Sequence, residues 1–292
     1  MAFNAETFKT RTLTAIVFVI VMLSGLLINH WSFLLLFTII HFGCWAEYQK
    51  LIGKIYAGYA TISSFHKYAV MLAGWGFMLY MTNDAYSAGS FKISDAGWLL
   101  MVIMLITIPI TEILLSKHFD MTNLVLSALG FIYISISWGL MIDLRSEGLL
   151  FGTQPFLVDI GWVLPVILIA SIWINDTMAY IVGSFIGRTP FSSISPKKTW
   201  EGTIGGALLS IAVVTLVCKL IIQADVLPVI IISSIACITG TAGDLLESKL
   251  KRTAGVKDSG SIMPGHGGFL DRFDSLMVAT VFVWIYVKLF LN

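Results

Sequence analysis

The residues with the most chemistry per unit length lie between Lys257 and Asp274, where two cations, three acids, His266 and several glycines fall in one short stretch. Glycines such as Gly267 and Gly268 let backbone N–H groups approach an anion closely. Lys257 and Arg272 can neutralise phosphoryl oxygens, while Asp258, Asp271 and Asp274 offer oxygen donors of the kind a hard divalent cation takes. Asp271 and Asp274 are three residues apart, so on a helix beginning near Leu270 they share a face. Capping of that helix by a first-turn acid would explain one of the pair, but not both together with His266.

Two further groups lie upstream. Asp176, beside Asn175, and Asp244 sit inside apolar runs, where a carboxylate costs at least a few kcal/mol and is a functional candidate by default. The bland alternative for Asp176 is a hydrogen bond to a neighbouring helix. Asp244 shares a helical face with Glu247, Ser248 and Lys251, next to Arg252, and Glu247 with Lys251 reads equally well as a solvated i, i+4 pair. Between Arg188 and Gly202, the cations Arg188, Lys197 and Lys198 alternate with Ser195, Thr199 and Glu201 ahead of a glycine series. That pattern suits a phosphate cradle, although anchoring at a membrane interface would also account for Lys197 and Lys198.

The elements that must position these groups follow from composition. Of 292 residues, 57% are hydrophobic, 13% aromatic and 12% charged, with a mean hydropathy of +0.88. A soluble domain carries about 25% charged residues, so a soluble globular enzyme is excluded. Apolar stretches of about 16 to 22 residues fit helices crossing the hydrocarbon core. They predict an all-α, polytopic integral membrane protein with about nine transmembrane helices. The first, Leu13 to Asn29, reads as a retained anchor, because Trp31 and Phe33 restart an apolar run with no cleavage site between. With the amino terminus in the cytoplasm and the carboxyl terminus outside, 14 of the 18 Lys and Arg fall on the inner side. The connections 184–203 and 247–272 are then both cytoplasmic. Residues 1–150 form amino-terminal membrane helices, and 151–292 form a catalytic region with cytoplasmic motif loops.

Several classes drop out. The net charge of +1 offers no field for nucleic acid. There is no Walker GxxxxGK[ST] and no GxGxxG between strand and helix. Cys44, Cys218 and Cys237 read as small core hydrophobes. His30, His41, His66 and His118 are isolated and read as interfacial polar residues.

The motifs Ser248 to Arg252, Lys257-Asp258, Pro264 to Gly268 and Asp271 to Asp274 resemble the signature of the phosphatidate cytidylyltransferases, or CDP-diacylglycerol synthases. Asn175-Asp176, Gly187-Arg188 and the run from Ser195 to Gly202 are similar to the same family, so the likeness covers roughly residues 170 to 292. Met263, where the family usually has Ile or Leu, is a conservative departure. The resemblance implies transfer of the cytidylyl group of CTP to phosphatidic acid, with Mg²⁺ required and a second cation left open. It implies Asp244 and Asp271 as metal ligands. The expected catalytic set is Asp176, Asp244, Lys257, Asp258, His266, Asp271, Arg272 and Asp274. The expected substrate contacts are Asn175, Arg188, Ser195, Lys197, Lys198, Thr199, Glu201, Ser248, Lys251, Arg252, Gly267 and Gly268. The implied setting is the bacterial cytoplasmic (inner) membrane, with the active site facing the cytoplasm and membrane lipid as substrate. A homodimer is compatible with the sequence, but no small-xxx-small seam specifies one. Two rivals stand beside this: a transferase using another lipid acceptor, and an ion-coupled transporter using Asp176 and Asp244.

Overall fold

In the computed structural model, residues 5–87, 89–115, 119–146, 160–260 and 267–291 are described. Their regular structure is helical: α1 (Ala5–Leu27), α2 (His30–Ile55), a short α3 (Ala57–Ala60), α4 (Ser64–Tyr80), α5 (Ile93–Leu115), α6 (Met121–Gly130), α7 (Ser137–Ser146), α8 (Val163–Ile186), α9 (Trp200–Ile221), α10 (Val226–Thr253) and α11 (Leu270–Phe290). A π-helical segment, Phe131–Ile136, joins α6 to α7 as one rod. Six helices among the described residues are long and apolar enough to cross a membrane: Ile93–Leu114, Met121–Ser146, Val163–Ile186, Trp200–Ile221, Val226–Thr253 and Leu270–Phe290. The helix starts carry side chains that accept otherwise orphaned N–H groups. Asn29 and Ser32 form a capping box on α2, Ser63 caps α4, Asp120 caps α6 and Thr199 caps α9.

The chain forms two compact units, residues 1–143 with 253–273, and 144–252 with 274–292. In the first, buried aromatics fill the space between helices. Phe37 lies 5.3 Å from Trp138 between ring centroids, and Trp138 meets Phe273 edge-on at 5.8 Å. Two polar networks run through this apolar interior. His66 Nδ1 lies 2.6 Å from Glu112 Oε1, and its Nε2 lies 2.8 Å from Ser127 Oγ, which also meets the Tyr59 hydroxyl at 3.0 Å. His41 Nε2 lies 3.1 Å from Ser135 Oγ, which accepts from Trp45 Nε1–H at 2.9 Å. His41 and His66 are therefore core residues, fully buried, and not the interfacial ones their isolation in the sequence suggests. The physical reason is that a polar ring in an apolar bundle gains most by meeting another polar group away from lipid.

In the second unit, α8 and α9 approach closely because small residues face each other. A Cβ built on Gly206 would lie 2.6 Å from the Ala179 nitrogen, and one on Gly202 would lie 2.7 Å from the Ala179 carbonyl oxygen. The Ser210 hydroxyl donates to the Ser171 carbonyl at 2.7 Å and the Ser171 hydroxyl to Ser233 at 3.1 Å, which ties α9, α8 and α10 together. Gly243 on α10 lets that helix reach α11, since its Cβ would stand 2.6 Å from the Asp274 carbonyl oxygen.

Candidate active site

In the first unit the signature segment is organised around carboxylates. Asp271, in the first turn of α11, accepts from the Ser259 N–H at 2.8 Å, the Ser259 hydroxyl at 2.9 Å and the Gly268 N–H at 2.8 Å, all on Oδ2. Gly267 has φ +80°, a left-handed conformation that L side chains rarely adopt, which turns the chain into the start of α11. Gly268 is buried, whereas Lys257, Asp258 and Arg272 are exposed. His266 falls outside the described residues, as do Met263 and Pro264.

Glu47, in the middle of α2, completes this arrangement. Its carboxylate accepts from the Ser259 hydroxyl at 2.7 Å, the Phe269 N–H at 2.9 Å and the Leu270 N–H at 2.9 Å. Sequence reasoning passed over this residue. The signal that could have found it is the one that singles out Asp176 and Asp244: one acid inside an apolar run, here between Trp31 and Leu51.

The second unit gathers the remaining charged candidates. Lys198 forms an ion pair with Asp244, and the Ser248 hydroxyl lies 3.5 Å from Asp244 Oδ1. Lys251 pairs with Glu247, and because Glu247 is fully buried the solvated of the two readings of this pair does not hold. Asp176 feels the charges of Lys198 and Asp244, and Asp274 those of Asp244, Glu247 and Asp176. The Asp176 side chain is exposed, while Asp274 is 7% and Asn175 4% exposed, with Asn175 Oδ1 lacking a hydrogen-bond partner.

Local backbone pairing presents the lysines. Pro190 and Thr199 form an antiparallel bridge, with the Phe191 N–H donating to the Lys198 carbonyl at 2.8 Å and the Trp200 N–H to the Thr189 carbonyl at 3.0 Å. Phe191 and Trp200 close the base of this loop edge-on at 4.5 Å. Glu201 accepts from the Arg188 N–H at 3.1 Å and the Thr189 N–H at 3.2 Å, so its carboxylate is engaged in shaping the loop. Thr199 accepts from the Gly202 N–H, and the Ser195 carbonyl from the Lys198 N–H. Lys197 and Arg188 project exposed side chains, as does Arg252 at the end of α10. The sequence candidates thus divide by unit. Lys257, Asp258, Gly267, Gly268, Asp271 and Arg272 belong to the first, and Asn175, Asp176, residues 188–201, Asp244, Ser248, Lys251, Arg252 and Asp274 to the second.

Within the second unit Asp274 is the common neighbour of Asp176, Asp244 and Glu247 in charge terms, with Lys198 paired to Asp244 and Lys251 to Glu247. Among the described residues no group of three or more His, Cys, Asp or Glu converges on a point that could hold a metal ion. Carboxylate oxygens such as those of Asp244 and Asp271 are donors of the type a hard divalent cation takes.

Fold and site together define a polytopic α-helical membrane protein carrying lysines and carboxylates of the kind that handle phosphorylated substrates. The chain matches the model of the Cytidylyltransferase family over residues 9–290, and it belongs to that family. It is 32% identical over 277 residues to a phosphatidate cytidylyltransferase of Staphylococcus saprophyticus, a match covering 92% of this chain and 95% of the relative. Identity is 36% over 193 residues with a phosphatidate cytidylyltransferase of Staphylococcus epidermidis, covering 63% and 69% of the two chains. It reaches 43% over 134 residues with phosphatidate cytidylyltransferase 4, chloroplastic, of Arabidopsis thaliana, covering 44% of this chain and 33% of that one.

Proposed function

We infer that this chain transfers the cytidylyl group of CTP to the phosphate of phosphatidic acid, giving CDP-diacylglycerol and pyrophosphate. The observation that carries this is likeness over nearly the whole chain to a relative named for that activity, within a family matched from end to end. In the reaction a phosphate oxygen of the lipid forms a bond to the α-phosphorus of CTP as the bond to the bridging oxygen breaks, and pyrophosphate leaves. That oxygen is already an anion at neutral pH, so no dedicated general base is needed. The work of the protein is alignment and neutralisation of charge.

Asp244 and Asp271 are each proposed as Mg²⁺ ligands. When bound, Mg²⁺ would supply a positive charge against the phosphate oxygens of CTP. Lys198 holds the charge of Asp244 in the structure. Lys197 and Lys198 in the second unit, and Lys257 and Arg272 in the first, are each proposed to neutralise phosphate oxygens. Thr199 and Glu201 keep the 188–201 loop in shape, and Asp176 and Asp274 orient the cations around them. Asn175, Arg188, Ser195, Ser248, Lys251, Arg252, Gly267 and Gly268 are proposed substrate contacts, and His266 a loop or binding residue.

The finer topology has about nine spans, the amino terminus in the cytoplasm and the carboxyl terminus outside. Supporting it are the 14 of 18 Lys and Arg placed inside by that arrangement. The bacterial relatives support the cytoplasmic membrane. An active site on its inner face rests on the charge distribution alone, and a homodimer is proposed with it.

The test is formation of CDP-diacylglycerol by purified protein in mixed micelles containing CTP and phosphatidic acid. Product should require Mg²⁺, and Asp244→Asn should lower kcat by about 10²-fold or more. Folded protein that leaves CTP intact, or a variant with full Mg²⁺-dependent turnover, would contradict the assignment.

A further inference from the structure

We propose that Glu47 is a positioning residue for cytidylyl transfer, capping the amino end of α11 from α2 and fixing Asp271 through the shared hydroxyl of Ser259. The proposal rests on the function inferred above. Both oxygens of the Glu47 carboxylate are used: Oε1 accepts from the Phe269 N–H at 2.9 Å, and Oε2 accepts from the Leu270 N–H at 2.9 Å and the Ser259 hydroxyl at 2.7 Å. These N–H groups stand at the start of α11, where the first turn has no intrahelical acceptors and the helix dipole favours negative charge.

The surrounding backbone is built to admit the carboxylate. Side chains on Gly260 or Gly268 would collide with Glu47, and one on Gly43, a turn earlier on α2, would collide with the Phe269 ring. Glu47 itself is 2% exposed. A buried carboxylate in an apolar helix is costly, and α2 needs none for its own hydrogen bonding. What it organises is the motif segment.

The link to Asp271 runs through Ser259. Its one hydroxyl proton faces Glu47 Oε2 at 2.7 Å and Asp271 Oδ2 at 2.9 Å, while its N–H binds Asp271 at 2.8 Å. A shift of Glu47 therefore moves Ser259, and Ser259 moves Asp271.

Glu47→Gln in the full-length protein keeps the size of the side chain but replaces one acceptor oxygen with a donor. Three results are expected. Hydrogen exchange at the Phe269 and Leu270 amides accelerates by about tenfold or more, as capping bonds are lost. kcat falls by about 10- to 100-fold, the range seen when groups orienting a ligand are removed, with KM for CTP and for phosphatidic acid unchanged within about twofold. The losses of Glu47→Gln and Ser259→Ala do not add in the double variant, as for residues of one network. A purely structural Glu47 would give faster exchange, or a lower melting temperature, with kcat per folded molecule unchanged, and that outcome would overturn the proposal. Should Glu47→Gln not fold, Ser259→Ala, which breaks the link and leaves the two N–H caps, must still lower kcat with KM held; full activity would overturn it. Absence of CTP turnover in the parent protein would remove the functional assignment instead, and is told apart because amide exchange is read without substrate.

Discussion

Lys198 and Asp244 neutralise each other in the second unit, so removing either leaves its partner's charge uncompensated at the edge of an apolar bundle. Lys198→Met should lower kcat/KM for CTP by about 10²-fold, the scale of losing one charge-stabilising donor. Steady-state kinetics checks this, and turnover within twofold of the parent would count against a phosphate role for the lysine. Asp176, Asp244, Asp271 and Asp274 stand out as candidates in the sequence because an acid in or beside an apolar run is conspicuous. Glu47 carried the same signal within α2, but its partners lie more than 200 positions away in the chain, and no local spacing reveals such a pairing. The histidines show the converse. Nothing near His66 or His41 in the sequence announces Ser127, Glu112 or Ser135, so their burial emerges only once the helices are packed.

Close helix approach sets the geometry at the next scale. Gly206 faces Ala179 with no room for a Cβ, so Gly206→Leu should destabilise the protein by about 1–3 kcal/mol, the usual cost of overpacking. Thermal unfolding in detergent would register it, and an unchanged midpoint would mean the α8–α9 contact is looser than described. In the first unit, Glu112→Leu leaves the His66 ring without its acceptor and should cost about 1–3 kcal/mol for the orphaned buried group. A variant that unfolds at the parent's midpoint would show that the network contributes little. The helices themselves were readable, because runs of apolar residues of membrane-spanning length leave few other structures. The π-helical segment Phe131–Ile136 was not, since a widened turn has no period distinct enough to stand out in one sequence. Nor was the pinched loop of 190–199, which depends on backbone pairing and not on residue type.

Across the whole molecule, the chain divides so that 253–273, which precedes and enters the last helix, belongs with the amino-terminal unit. The division of motif residues between units follows packing and not chain order, which is why the likeness confined in sequence to about residues 170 to 292 gave no hint of it. The amino-terminal helices, matched at first only by their apolar character, contribute Glu47 to the motif segment. Membership of the Cytidylyltransferase family over residues 9–290 agrees with their being integral to the fold. The most direct measurement follows the phosphorus of CTP. Purified protein is given phosphatidic acid, Mg²⁺ and CTP labelled at either the α- or the γ-phosphate. Cytidylyl transfer predicts that the α label enters the lipid product while the γ label leaves in pyrophosphate. Transfer of the γ label to lipid, or no labelled lipid from folded protein, would contradict it.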